Sequence, residues 1–190
     1  GVANDDYLKT QASYSTGKMK NGLSASILLS QTRGDGYVDG TKFEGANYFI
    51  ALGYEINDKH DVQFTFTGAP QWHNQRSNAP TIAQYMKYGS NNEPDIRYNS
   101  DWGYLNGKEF SFRTNYYHKP VMSLNWDWKI NETTKLSSVF YGSWGRGGGS
   151  NGAGAIRGNR FFADPLKTAN GLIDIDLIQN ELDRRKPGQS

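Results

Sequence analysis

Large apolar residues recur at every second position in several stretches of the chain. Because successive side chains of a strand point to opposite faces, this period predicts two-faced β-strands. The alternating positions are Tyr48, Ile50, Leu52, Tyr54 and Ile56, then Val62, Phe64 and Phe66, then Met122, Leu124, Trp126, Trp128 and Ile130. Leu136, Phe140 and Trp144 continue the pattern, and weaker examples lie at 8–14 and 23–29. We count about six strands, and the length of each is close to the ~10 residues of a tilted membrane strand.

An internal repeat predicts matching hairpins. Residues 55–62 and 129–136 each place an apolar residue, Asn and an acid before a short polar turn. A second apolar residue follows six positions after the first, which keeps both on one face. The sequence therefore predicts short turns near 17–22, 57–60 and 131–134.

The remaining connections are long, near 32–45, 70–119 and 145–190, so that short turns and long loops alternate. Outer-membrane barrels have short periplasmic turns and long extracellular loops. Polar residues such as Asp61, Gln63, Asn125, Asp127 and Lys129 oppose the apolar positions, as in a wet barrel lumen. The pattern favours an all-β, antiparallel up-and-down transmembrane barrel segment. A soluble β-sandwich or lipocalin-like barrel, with the apolar face as its core, stays open.

Aromatic placement agrees with a membrane position without deciding it. Tyr54, Trp126 and Trp128 fall toward the short turns, and Tyr48 and Trp144 fall toward the long loops. Aromatic rings favour bilayer interfaces, although strands in general are rich in aromatics.

Composition narrows the classes further. Aromatics make up 14% of the chain, which disfavours disorder, although the mean hydropathy is −0.76. The net charge of +2 is too small to indicate a nucleic-acid partner, and the absence of Cys excludes disulfide and thiolate chemistry. No stretch approaches the ~20 apolar residues of a membrane helix. No signal peptide opens the chain, and about six strands are too few to close a barrel, so we expect a mature or partial product.

Several motifs together resemble TonB-dependent receptors of the Bacteroidota type. The resemblance covers most of residues 7–160, and its matching stretches are 35–41, 52–58, 66–73, 98–107, 115–120 and 145–149. It implies part of a 22-stranded barrel in the bacterial outer membrane, without the plug domain that contacts TonB. The implied partners are outer-membrane lipid, the remaining barrel strands, the plug domain and, through the plug, TonB. The implied cargo is a scarce nutrient: an iron chelate or siderophore, haem, cobalamin or a glycan.

The long loop at 71–119 is the best candidate for ligand contact. It mixes flat aromatic rings with cations and amides, which suits chelates, haem or sugars. The candidate ligand-binding residues are Trp72, His73, Arg76, Arg97, Trp102, Tyr104, Arg113 and Tyr117. A loop that packs on itself or on its neighbours through its aromatics is the open alternative.

Other motifs indicate structure rather than chemistry. No His pair has metal-ligand spacing; His60 is expected to be solvated in a turn, whereas His73 and His118 could meet. Residues 35–40 favour a glycine turn over a calcium loop, and 145–154 favour a flexible loop or strand end over a phosphate loop. Leu172, Ile175, Ile178 and Leu182 have helical spacing, with Asp174 as a cap.

We expect no cofactor and no enzyme, because no catalytic spacing is recognisable. The main hypothesis is therefore a segment of a nutrient-importing receptor. The alternatives are a soluble carbohydrate-binding β-sandwich and a passive outer-membrane porin.

Overall fold

The structure, a computed structural model, describes residues 1–185 and is mostly β, with 49% of residues in strands and 11% in helices. The all-β class predicted from the alternation is thus confirmed. The strands are β1 (Leu8–Ser15), β2 (Leu23–Gly34), β3 (Phe43–Asn57), β4 (His60–Gly68), β5 (Gln71–Asn74), β6 (Trp102–Leu105), β7 (Lys108–Ser111), β8 (Thr114–His118), β9 (Val121–Lys129), β10 (Lys135–Ser143), β11 (Arg146–Gly149) and β12 (Ile173–Asp174). The helices are α1 (Ile82–Tyr88), α2 (Ile175–Arg185) and a 3₁₀ turn (Asp164–Leu166).

Nine strands form one antiparallel sheet, which curls into half a barrel. Its main order is β1-β2-β3-β4-β9-β10, and β5, β8 and β11 pair side by side beyond the ends of β4, β9 and β10. The sheet is therefore six long strands in up-and-down order, in agreement with the number that the alternation predicts. Among residues 1–185, no helix is both long and apolar enough to cross a membrane.

The long strands are interrupted at Pro70 and Pro120 without losing their register. Tyr48 pairs with Gly68 below the first break and Gly45 pairs with Gln71 above it, so the offset between the strands is unchanged. Proline lacks the N–H that would complete the ladder, which explains the gap in strand assignment. The strands consequently run further than the sequence indicates, and the long connections shrink to 35–42, 75–113 and 150–185. The last five residues of the predicted loop at 145–190 lie outside the described residues.

The sheet has two distinct faces. One face, the apolar face, carries Tyr14, Leu23, Ile27, Leu29, Tyr48, Ile50, Leu52, Tyr54, Val62, Phe64, Phe66, Met122, Leu124, Trp126, Trp128, Leu136 and Phe140. The other face, the polar face, carries Ser15, Ser24, Ser26, Ala51, Gly53, Glu55, Asp61, Gln63, Thr65, Ser123, Asn125, Asp127 and Ser137. The polar face also includes the apolar residues Leu28, Phe49, Val121 and Val139.

The predicted repeat corresponds to two turns built in the same way. The side-chain oxygen of Asn57 accepts hydrogen bonds from the backbone N–H groups of Lys59 and His60, at 2.9 and 3.1 Å. The Asn131 side chain accepts from the N–H of Thr133 at 3.0 Å. Asparagine side chains that bond the backbone two residues ahead stabilise tight turns. The three predicted short turns all lie where the structure reverses direction.

The two longest connections fold together into a small second unit, the cap, made of residues 75–113 and 150–185. Its three-stranded sheet joins β12, β6 and β7, so the two connections share one sheet. Its apolar core consists of Ile156, Phe161, Leu166, Ile173, Ile175 and Ile178. Among residues 1–185, most of the buried side chains lie in the cap, beyond the ends of the long strands.

The helix predicted near the C-terminus is confirmed. It begins at Ile175, directly after the predicted cap Asp174, and Leu172 lies outside it because residues 173–174 pair with β6. The Asp174 carboxylate accepts the N–H of Leu177 at 2.9 Å, which is the expected N-cap bond.

Candidate functional site

A buried polar network anchors the cap. The Asp101 side chain is fully buried and its carboxylate accepts the N–H groups of Ser77 and Asn78 at 2.6 and 2.9 Å, as well as the Asn78 amide. The Asn99 side-chain oxygen accepts the N–H of Asp101 at 3.0 Å. A buried carboxylate with three donors is satisfied, so this network is structural. Sequence reasoning missed it, although residues 98–107 include one of the motifs of the resemblance.

Tyr98 joins the first segment of the cap, 75–113, to its second segment, 150–185. Its hydroxyl donates to the carbonyl of Gly171 at 2.7 Å, and its ring lies 4.6 Å from that of Tyr88, centroid to centroid. Burial raises the pKa of the Tyr98 hydroxyl well above its ordinary value, because the phenolate would lose its hydration.

Arg97 ties the cap to the first long connection and to the N-terminal segment. Its guanidinium donates to Asp5 at 2.7 Å and to Asp39 at 3.2 Å, and its cationic carbon lies 5.2 Å from the ring centroid of Tyr37. The hydrogen bond to Asp5, followed by that to Asp39, raises the pKa of Arg97. This predicted ligand residue is therefore already engaged within the protein.

Trp102 is also engaged inside the fold. Its side chain is 91% buried against Gly40, where an added Cβ would lie 2.4 Å from the indole ring. Gly40 has a φ of +69°, so the close approach and the turn both require glycine there. Tyr104, whose ring lies 5.5 Å from that of Trp102, stays 45% exposed. Of this pair only Tyr104 is open to a ligand.

The remaining two predicted arginines pack against cap aromatics. The Arg76 guanidinium donates to the carbonyl of Tyr98 at 3.2 Å, and it lies 5.9 Å from the Tyr85 ring. Arg113 lies 5.6 Å above the ring of Phe161, a core residue. For Arg76, Arg97, Trp102 and Arg113, the contacts match the alternative in which the loop packs on itself or on its neighbours.

His73 and Tyr117 are on the polar face, at the end of the sheet next to the cap. Tyr117 pairs with Gln71 and His73 pairs with Asn115, which makes His73 and Tyr117 diagonal neighbours across β5 and β8. The His73 ring bonds the Gln75 amide at 3.1 Å. Trp72, between Gln71 and His73, points to the apolar face instead. The eight predicted residues are thus divided between the cap, the polar face and the apolar face.

Two of the expectations for histidine are wrong. His118 lies on the apolar face, where its Nε2 is 2.9 Å from the hydroxyl of Tyr48, so it does not meet His73 on the polar face. His60 is the first residue of β4 rather than a solvated turn residue, and its ring stacks on Trp126 and Trp128. In both cases the odd or even position in the strand decides the face.

The two glycine-rich stretches act as the sequence indicates. Gly36 and Gly40 have positive φ and form the turn, while Asp35 and Asp39 pair with Lys42 and Arg97. Residues 146–149 form the strand end β11. Within residues 1–185 no three His, Cys, Asp or Glu side chains converge as a metal site would require.

Comparisons with protein-family profiles, with curated proteins and with solved structures give no match for this chain. The geometry and the sequence motifs are accordingly the only guides to function.

Proposed function

We propose that this chain is part of a bacterial outer-membrane β-barrel of the TonB-dependent receptor type, which takes up a scarce nutrient. The single observation that carries the proposal is the apolar face of the sheet. It is continuous across the long strands, and it is exposed.

The apolar face continues from strand to strand without a polar interruption. Ile27 pairs with Ile50, Ile50 with Phe66, and Phe66 with Met122, so four neighbouring strands place apolar side chains in one row. Leu52 is 51% exposed in the neighbouring row. Soluble proteins rarely expose an apolar patch larger than a few hundred Å². Contact with lipid would cover this face, and a soluble sandwich would need a second sheet there.

Two aromatic clusters border the apolar face. At the turn end, His60, Trp126 and Trp128 stack with centroids 5.7 to 5.9 Å apart. At the cap end, the ring of Phe66 lies 5.2 Å from Tyr48 and 6.2 Å from Trp144. Amphipathic rings at two levels are typical of the two bilayer interfaces.

The separation of these clusters is of the order of a barrel's apolar band. Tyr48 pairs with Gly68, which lies eight residues from His60 along β4. Eight residues span about 26 Å along a strand, or about 20 Å along the membrane normal at a tilt of about 40°. An outer-membrane barrel has an apolar band about 25 Å tall.

The polar face suits a water-filled interior. The hydroxyls of Thr65 and Ser123 lie 2.6 Å apart across β4 and β9, and those of Ser15 and Ser26 lie 2.8 Å apart across β1 and β2. Small polar side chains that hydrogen-bond one another leave space for water on the lumen side of a wide barrel.

The receptor type rests on the sequence motifs, and the cap supports it. Tyr98 and Trp102 belong to the motif at 98–107, and in the cap they hold the long connections together beyond the strand ends. We propose that an iron chelate, haem, cobalamin or a glycan contacts the polar face beside the cap, at His73 and Tyr117, and the exposed Tyr104. A passive porin is the second candidate, because a polar lumen alone would serve diffusion.

Binding measurements on the detergent-purified protein test the proposal. Titration calorimetry with a ferric catecholate chelate, haem, cobalamin and an oligosaccharide should give saturable binding of one compound. His73→Ala and Tyr117→Ala should each weaken that binding about tenfold, the loss of one good contact. Trp72→Ala, on the opposite face, should leave it unchanged. Solute flux proportional to concentration, with no saturable binding, would instead indicate the porin.

A further inference from the structure

A groove of about 580 Å³ opens on the apolar face at the cap end of the strands. Its floor consists of small or compact residues, namely Ala46, Pro70 and Pro120, on three adjacent strands. The larger rings of Trp72 and Trp144 stand at its cap side and turn side. A depression forms here because the two prolines keep the register of the strands while their rings project little.

One end of this groove carries a free cation. Arg146 pairs in register with His118 and is exposed, and its guanidinium forms no ion pair with any residue of the described chain. The bond to the Tyr48 hydroxyl holds the His118 ring beside it. A guanidinium that has no carboxylate partner can donate two parallel hydrogen bonds to two oxygens of a phosphate group.

The other end of the groove carries hydrogen-bonding groups. The Gln31 amide donates to Glu44 Oε1 at 2.8 Å, which leaves the second carboxylate oxygen of Glu44 as an acceptor. A ligand that spans the groove therefore needs an anion at one end and hydroxyl groups at the other.

We propose that this groove holds the phosphate-bearing headgroup of a membrane lipid, an inference that rests on the proposed contact of the apolar face with the bilayer. The groove lies on the cap side of the Tyr48 and Phe66 cluster, the level at which headgroups meet an aromatic belt. Arg146 binds the phosphate, Glu44 accepts headgroup hydroxyls, and the acyl chains lie along Phe66 and Met122. The volume is in the range of sites for molecules of this size.

Native mass spectrometry of the protein in mixed micelles tests the inference. The micelles contain equal amounts of phosphatidylglycerol and a neutral galactosyl diacylglycerol that lacks phosphate. We expect the wild type to retain phosphatidylglycerol about tenfold more than the neutral lipid, as one charge-assisted hydrogen-bond pair predicts. Arg146→Gln should remove this preference. Lys119→Gln also removes one positive charge, but from the polar face of the neighbouring strand. This variant should keep the preference for phosphatidylglycerol.

A second variant separates the shape of the groove from its charge. Ala46→Leu fills the floor and leaves Arg146 in place, and it should reduce phosphatidylglycerol retention as well. Full retention by both Arg146→Gln and Ala46→Leu would overturn the inference. So would displacement of the lipid by millimolar inorganic phosphate, which would identify a site for the free anion.

Spectra recorded with the mixed micelles and in plain buffer distinguish this inference from the proposed function. Wild-type protein that retains both lipids equally would contradict the headgroup site alone, since lipid would still cover the apolar face. Protein that retains neither lipid and stays folded and monomeric in plain buffer would contradict the proposed membrane function itself.

Discussion

The indole Nε1 of Trp126 donates a hydrogen bond to Nδ1 of His60 at 3.2 Å, across 66 residues of sequence. The two rings also stack, with centroids 5.8 Å apart. This contact joins β4 to β9 at the turn end of the sheet, where Trp128 extends the stack. The alternating apolar residues thus form an aromatic cluster at the turn end of the apolar face.

Removal of that hydrogen bond should lower stability without removing the aromatic belt. Trp126→Phe keeps a ring on His60 but loses the donor. We expect the free energy of unfolding in detergent to fall by about 1 kcal/mol, the net value of one hydrogen bond. Urea titrations followed by circular dichroism measure this. Trp128→Phe is the matched control, since Trp128 stacks on His60 without that bond. An equal loss in both variants would mean that ring size, and not the hydrogen bond, is responsible.

Trp102 should behave as a core residue rather than as a ligand contact. Trp102→Ala would leave a cavity against Gly40 and should cost about 3–5 kcal/mol of cap stability. Tyr104→Ala, a change at an exposed neighbour, should cost much less. Hydrogen exchange of residues 75–113 measures both changes. A Trp102→Ala protein that keeps its cap protection but loses ligand affinity would contradict this assignment.

The buried hydroxyl of Tyr98 should make the cap sensitive to alkali. Its pKa is raised by burial above the ordinary 10.0, so in the folded cap it stays protonated where the unfolded chain ionises. This contribution to stability is complete below pH 10 and is lost as the pH rises toward the folded pKa. Tyr98→Phe should cost about 1 kcal/mol at neutral pH, from the bond to Gly171, and should lose less stability above pH 10.

Near-ultraviolet circular dichroism between pH 8 and about 12 follows the alkaline loss, because that signal reports packed aromatic rings. Tyr104→Phe serves as the control, since it removes an exposed tyrosine hydroxyl from the same cap sheet. An identical alkaline midpoint in the wild type and in Tyr98→Phe would exclude Tyr98 as the cause.

The sheet was largely predictable from the sequence because its determinants are local. The period of two fixes which side of the sheet Leu52 and Phe64 occupy, and Asn57 and Asn131 mark turns through bonds to their own neighbours. The strand ends were less predictable. Pro70 reads as the end of a strand, yet the register continues beyond it.

The cap was not predictable in the same way, because its contacts join distant segments. Arg97 meets Asp5 across 92 residues, and Tyr98 meets Gly171 across 73. Aromatic and cationic residues in a long loop look alike whether they bind a ligand or one another. Only the fold shows that Arg97 and Trp102 are engaged internally, while Tyr104 and Tyr117 remain exposed.

Single-cysteine scanning distinguishes a lipid-facing from a water-facing side of the sheet, and the chain contains no Cys of its own that would interfere. Leu52→Cys, Phe64→Cys and Leu124→Cys sample the apolar face, and Ala51→Cys, Thr65→Cys and Ser123→Cys sample the polar face one position away. With spin labels on the protein in lipid bilayers, we expect high oxygen and low nickel-chelate accessibility at the first three sites, and the reverse at the other three. Equal nickel-chelate accessibility on both faces would contradict the assignment of the apolar face to the membrane.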